Sequence, residues 1–96
     1  MVKVKVKLSG WLKRLSPREE ILVELGEKPT VREVFDKLVA ELGPEFESSV
    51  VDEELRDPRA RVLVMVNGVE ISALSGLETL VDEGSEVVLI PFFHGG

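Results

Sequence analysis

Alternating valine and lysine residues give the chain its clearest strand pattern. Residues 2–8 read Val-Lys-Val-Lys-Val-Lys-Leu, so every second side chain is apolar. This period of two predicts a strand with one buried and one solvated face. A second strand follows, with Ile21, Val23 and Leu25 on one face, and the two strands form a predicted hairpin. Trp11 lies in the connecting loop, where we expect it to cap one end of the core rather than to anchor a partner.

One main helix is predicted after the second strand. Residues 30–33, Thr-Val-Arg-Glu, have the form of a capping box, in which the threonine oxygen and the glutamate carboxylate satisfy free amides of the first turn. Apolar residues then follow at helical spacing. They are Val31, Val34, Phe35, Leu38, Val39 and Leu42. Gly43 and Pro44 end the predicted helix, which we expect to cover one face of the sheet.

The pattern weakens between residues 45 and 61, where we expect a loop with a short helical turn. Acidic residues cluster in this segment, but their order does not match a Ca²⁺-binding loop, so we favour a solvated loop over a metal site. They are Glu45, Glu47, Asp52, Glu53, Glu54 and Asp57.

A second hairpin is predicted in the last third of the chain. Residues 61–66 resume an apolar strand pattern, and Asn67-Gly68 then predicts a tight turn because both residues tolerate a positive φ. The return strand begins at Val69, and residues 72–84 have no regular pattern.

The final predicted strand covers residues 86–90 and is apolar without polar alternation, so both of its faces need cover. The helix can cover only one face. The other would leave Val87 and Leu89, or Val88 and Ile90, as an exposed apolar patch, and such a patch on a small domain usually marks a binding surface. We assign Val87 and Leu89 to this partner-binding surface.

The last six residues read Pro-Phe-Phe-His-Gly-Gly. Proline cannot donate a ladder hydrogen bond, so we expect Pro91 to release the strand from its sheet, and terminal glycines let a backbone enter a narrow channel. We therefore expect a flexible tail over residues 91–96. Its working group would be the α-carboxylate of Gly96, on which other proteins perform chemistry.

The predicted order is strand, strand, helix, strand, strand, strand, which indicates an α+β roll with one helix on a mixed sheet. We expect the first and last strands to pair in parallel. At 96 residues the chain has room for one domain with a modest core.

Composition excludes several function classes. No cysteine is present for a thiol nucleophile, a disulfide or a cysteine-based metal site, and the net charge of −6 argues against nucleic acid as the main partner. We expect Lys3, Lys5 and Lys7 to form a solvated strand face. The start of the chain has no apolar signal run and no stretch is long enough for a membrane span, so we expect a cytoplasmic protein. The high charged fraction of 31% and the absence of glutamine are typical of proteins from hot environments.

With these elements placed, the sequence resembles the β-grasp, ubiquitin-like sulfur carriers of the MoaD and ThiS type, including archaeal MoaD-like proteins and ubiquitin-related modifiers. The resemblance covers nearly the whole chain and rests on an ordered set of weak motifs. They are the strand at residues 2–8, the helix start at residues 30–33, Val66-Asn67-Gly68, Leu74-Ser75-Gly76-Leu77-Glu78-Thr79, the turn from Asp82 into the last strand, and Gly95-Gly96.

The resemblance implies that an activating enzyme uses ATP to adenylate the carboxylate of Gly96 and that a sulfur donor converts it to a thiocarboxylate. Gly95 would let the tail thread, and Phe92, Phe93 and His94 would contact the walls of the partner's channel. The chain would bind no cofactor and have no catalytic residue of its own. It would be a monomer alone and a hetero-oligomer with a large synthase subunit, most like the small subunit of molybdopterin synthase.

Other interpretations of the same tail stay open. The acceptor of the sulfur is molybdopterin, transfer RNA or the thiazole of thiamine. Alternatively, Gly96 forms isopeptide bonds with lysines of target proteins, as in a ubiquitin-like modifier. In a third interpretation, the chain is an interaction domain whose terminal glycines are incidental.

Overall fold

The computed structural model describes residues 1–51, 58 and 61–92. Within these residues, a mixed sheet has the strand order β2-β1-β5-β3-β4. The strands are β1 (Val2–Leu8), β2 (Glu20–Leu25), β3 (Val62–Val66), β4 (Val69–Glu70) and β5 (Glu86–Pro91). The helices are α1 (Val31–Leu42) and α2 (Pro44–Val50), and short 3₁₀ helices cover Gly10–Leu15, Ile71–Ala73 and Gly76–Glu78.

β1 lies near the middle of the sheet and confirms the pattern at the start of the chain. It pairs antiparallel with β2 and, as predicted, parallel with β5. Val4, Val6 and Leu8 are buried, while Lys3 and Lys7 on the opposite face are exposed. The α+β roll expected from the sequence is therefore the observed architecture.

Helix α1 has the predicted bounds and covers the face of the sheet on which the buried residues of β1 lie. The Glu33 amide donates to Thr30 Oγ1 at 3.3 Å, which is the first half of the capping box. The Glu33 carboxylate lies 3.5 Å from the same hydroxyl. Two backbone bonds of 2.9 Å tie the start of the helix to the far loop, from Val31 N–H to Thr79 O and from Val81 N–H to Pro29 O.

Helix α2 is longer than the short helical turn expected in this part of the chain. Gly43 ends α1 with a φ of 87°, and Pro44 begins α2 directly after it. Phe46 and Val50 are fully buried in the core. Their spacing of four residues was the available signal, but one apolar pair gives little periodicity to detect. Of the acidic residues predicted to lie in a loop, Glu45 and Glu47 belong to this helix, and the others lie outside the described residues.

The turn between β3 and β4 is the one predicted, with φ values of 48° at Asn67 and 84° at Gly68.

Trp11 does not cap the core as the sequence predicted. Its side chain is 47% exposed, whereas the next residue, Leu12, is fully buried. The loop is a 3₁₀ helix, so successive side chains point about a third of a turn apart, and Leu12 rather than Trp11 faces the core.

Candidate functional site

The predicted site begins where β5 ends. Phe92 is the last described residue, and its side chain is 42% exposed. Its backbone N–H donates to the carbonyl of Arg61 at 3.1 Å. Phe93, His94, Gly95 and Gly96 lie outside the described residues. Their assigned roles stay predictions.

The prediction that Pro91 releases the strand from its sheet is wrong. It is the last residue of β5 and pairs with Val62 of β3. The carbonyl of Leu89 accepts from Ser9 on the β1 side, whereas the amide of Phe92 donates to the β3 side. By this alternation the nitrogen of Pro91 faces β1, beyond the last residue of that strand, where no ladder donor is needed. Pro91 therefore costs no hydrogen bond on the β1 side, where the strand has already ended, and leaves the pairing with β3 intact.

Val87 and Leu89 do not form an exposed patch. Both side chains are fully buried and belong to the core cluster. Because side chains alternate along a strand, the opposite face of β5 presents Val88 and Ile90. Val88 is partly exposed and Ile90 is 37% exposed. The prediction that Val87 and Leu89 are exposed is therefore wrong, and the exposed pair is Val88 and Ile90, the alternative that the sequence had left open. A partner-binding role for this face of β5 stays a prediction.

The adjacent strand extends this exposed apolar surface. Ile90 pairs with Leu63 and Val88 pairs with Met65 across β5 and β3, and both β3 side chains are partly exposed. We call Leu63, Met65, Val88 and Ile90 the outer patch. Phe92 is two residues after Ile90, so in an extended chain its side chain lies on the same face. Sequence reasoning missed Leu63 and Met65, although β3 also lacks polar alternation, which was the signal used for β5.

Charged residues border the outer patch on the β1 side. Lys7 Nζ lies 3.2 Å from Glu86 Oε2, and both side chains are close to half exposed. Lys7 also stands opposite Glu20 in the register with β2, and Lys3 stands opposite Glu24. The lysine row therefore lies beside carboxylates, which lowers the positive potential that a phosphate-binding surface requires.

The helical side of the molecule carries a shallow groove between α1, α2 and the loop before β5. Its apolar residues include Phe35, Val39 and Leu77, and Arg32 lies on its rim. Arg32 Nε donates to Glu78 Oε1 at 2.9 Å.

No cluster of histidine and carboxylate side chains suited to a metal ion occurs in the described part of the chain. Neither described helix combines the length and apolar character needed to cross a membrane.

Several solved structures share this fold. Small archaeal modifier protein 1 from Methanosarcina acetivorans is 27% identical, with a TM-score of 0.82 over 100% of this chain and 98% of that protein. The putative molybdopterin converting factor, subunit 1, from Pyrococcus furiosus is 26% identical, with a TM-score of 0.74 over 97% of this chain and 100% of that protein. SAMP1 from Haloferax volcanii, at 24% identity, has a TM-score of 0.82 over 98% and 99% of the two chains.

These neighbours are ubiquitin-like proteins, so the α+β roll is a β-grasp fold. No curated protein sequence matches the chain. The model of the ThiS family matches residues 6–96, which include the whole of the candidate site. The chain therefore belongs to the ThiS family, among the ubiquitin-like sulfur carriers and modifiers.

Proposed function

We propose that this protein is a sulfur carrier whose Gly96 carboxylate is adenylated and then converted to a thiocarboxylate. The observation that carries the proposal is the family match over residues 6–96, which extends through Gly95 and Gly96. A carboxylate is a poor electrophile until one of its oxygens becomes part of a good leaving group. The carboxylate attacks the α-phosphorus of ATP and releases pyrophosphate, and sulfide delivered by the donor then displaces AMP from the acyl carbon to leave the thiocarboxylate.

The chain acts in this scheme as a substrate that is consumed and regenerated. Gly96 carries the reacting group, and Gly95 has no side chain to obstruct a narrow channel. Phe92, Phe93 and His94 contact the walls of that channel. The activating enzyme binds ATP, so the carrier needs no bound cofactor and no catalytic group of its own.

We propose the outer patch as the surface on which partner enzymes dock. Its four apolar side chains adjoin one another across β3 and β5 and are only partly covered by their own fold. Phe92 leads from this surface toward the reacting end of the chain. A partner on the patch therefore lies close to the point where residues 93–96 begin, and a charged rim at Lys7 and Glu86 borders its apolar centre.

The acceptor we favour is molybdopterin, with the chain as small subunit of a synthase. The support is the likeness to the putative molybdopterin converting factor, subunit 1, from Pyrococcus furiosus. In this role the chain is a monomer alone and forms a hetero-oligomer when a large subunit covers the outer patch.

Intact mass spectrometry tests the activation step. The full chain is incubated with an activating enzyme of this family, ATP and a sulfur donor, beside a known carrier as positive control. We expect a mass increase equal to the replacement of one oxygen by one sulfur, absent when ATP is omitted and absent from a variant that lacks Gly95 and Gly96. An unchanged mass under conditions that convert the known carrier would refute the proposal.

A second candidate function is conjugation of Gly96 to lysines of other proteins. It is favoured by the likeness to small archaeal modifier protein 1, at 27% identity over the whole chain. Both functions use the same adenylate, so the test follows its fate in cells. An epitope-tagged chain that forms larger bands resistant to denaturant, lost on deletion of Gly95 and Gly96, supports the modifier. A single band at the mass of the free chain contradicts it.

A further inference from the structure

We propose that Ser9 and Gly10 are positioning residues that set the direction in which the chain leaves the fold at Phe92. They lie directly after β1, beside the end of β5. We call Ser9, Gly10 and their contacts on β5 the exit clamp. The effect of the clamp on activation rests on the proposed function, whereas its geometry concerns described residues alone.

Ser9 holds the end of β5 with two donors. Its backbone N–H and its hydroxyl each donate to the carbonyl of Leu89 at 3.0 Å. The hydroxyl is partly buried. This is more than the single backbone bond that strand pairing requires at this position. The second donor comes from the side chain and restrains the peptide that precedes Ile90 and Pro91.

Gly10 packs its backbone against the ring of Pro91. A Cβ at residue 10 would lie 3.0 Å from Pro91 Cγ and 3.4 Å from Cδ, and Gly10 has a φ of +58°. A side chain would therefore meet a rigid ring and a backbone conformation that favours glycine. The carbonyl of Ser9 accepts from Leu12 N–H at 3.2 Å, so it needs no donor from the proline. The start of the 3₁₀ helix and Pro91 thus fit one another.

The opposite side of the exit is held by β3. Phe92 N–H donates to Arg61 O at 3.1 Å, one residue before β3 begins. At Pro91 and Phe92 the chain therefore runs between Gly10 on one side and Arg61 on the other. Because both neighbours are attached to central strands, the backbone direction at Phe92 is set by the sheet.

Direction matters for the proposed reaction because the partner holds the body of the carrier and its terminus at the same time. Adenylation requires the attacking carboxylate oxygen and the α-phosphorus of ATP to be aligned at close range, and small displacements from a productive geometry are costly in rate. An altered exit direction leaves the outer patch unchanged but moves the terminus within the channel. The clamp is therefore expected to act on kcat more than on KM for the carrier.

The geometric part is tested by NMR on the full chain with the variants Ser9→Ala and Gly10→Ala. Gly68→Ala is the matched control, since Gly68 has a φ of +84° and open space where a Cβ would lie. We expect the Phe92 amide to exchange faster relative to the core amides and to change its chemical shift in both clamp variants, with no such relative change in the control. If Gly10→Ala does not fold, Ser9→Ala decides, because it removes only the hydroxyl. A Phe92 amide unaffected in every folded clamp variant overturns the proposal.

The kinetic part measures adenylation of each variant by the activating enzyme over a range of carrier concentrations. We expect kcat to fall by about tenfold or more in Gly10→Ala, with KM within about twofold of the wild type. Adding Pro91→Ala removes the ring atoms that the new Cβ meets and should restore part of kcat. Clamp variants with altered Phe92 amides but a kcat equal to that of Gly68→Ala would overturn the proposed role in the reaction.

The two experiments separate this inference from the proposed function. A wild-type chain that is never adenylated, beside an active control carrier, refutes the sulfur-carrier function. The exit geometry is then judged by the Phe92 amide alone, which requires no partner enzyme.

Discussion

Two neighbouring valines of β5 provide a direct test of which face of that strand is buried. Val87 is fully buried, whereas Val88 lies in the partly exposed outer patch. Replacing either by alanine removes the same atoms from the same strand. The loss of β-propensity, at most about 1 kcal/mol, is then common to both variants. The difference between them reports burial.

We expect Val87→Ala to lower the free energy of unfolding by about 2–3 kcal/mol. The two lost methylene equivalents contribute roughly 1.6 kcal/mol at about 0.8 kcal/mol each, and the cavity left in a fully buried site adds the rest. For a domain of this size, that loss lowers Tm by about 10–20 °C. We expect Val88→Ala to cost about 1 kcal/mol or less, because its side chain is already in contact with solvent.

Urea denaturation followed by circular dichroism measures both values, provided that the m value is unchanged between variants. Equal losses at the two positions, or a larger loss at Val88, would refute the burial that the structure assigns to β5. The same pair also separates stability from docking. Adenylation at a temperature where both variants are folded should show a raised KM for Val88→Ala and an unchanged KM for Val87→Ala.

Three further outcomes are expected from the described contacts. Thr30→Ala removes the acceptor for the Glu33 amide at the start of α1 and should cost about 1 kcal/mol in urea denaturation; an unchanged midpoint would contradict the cap. Gly68→Ala should lower the free energy of unfolding by about 1–2 kcal/mol, because its left-handed backbone disfavours a side chain. Gly26 also has open space around an added Cβ but no positive φ, so Gly26→Ala should cause no such loss, and equal losses in the two variants would refute this reason. A double-mutant cycle between Arg32 and Glu78 should give a coupling below about 1 kcal/mol, because the pair is exposed, and a larger coupling would contradict that expectation.

The elements predicted correctly are those whose signal is local. β1 alternates valine with lysine, which leaves one choice of buried face. Helix α1 has an N-cap, an apolar stripe and a terminating glycine within residues 30–43. Asn67 and Gly68 are among the few residues that tolerate the backbone of a tight hairpin turn. In each case residues close together in the sequence specify the local structure, and the observed elements agree with the prediction.

Other features depended on packing between distant parts of the chain. Helix α2 is anchored by Phe46 and Val50, whose burial requires the core that α1 and the sheet provide. The orientation of Trp11 depends on the 3₁₀ helix that carries it past the end of β5. A short apolar pair or a lone aromatic residue has no period of its own, so sequence reasoning could not orient it.

The end of β5 shows most clearly where the sequence stops being sufficient. The order of its residues alone showed that the strand lacks polar alternation, and it predicted a tail able to enter a narrow channel. It did not determine which face is buried, since a strand without polar alternation has no phase. Register with β1 and β3 placed Val87 and Leu89 inside. The same register turned the nitrogen of Pro91 toward the side where β1 has already ended, so tertiary pairing decided that this proline is tolerated within the ladder that continues along β3.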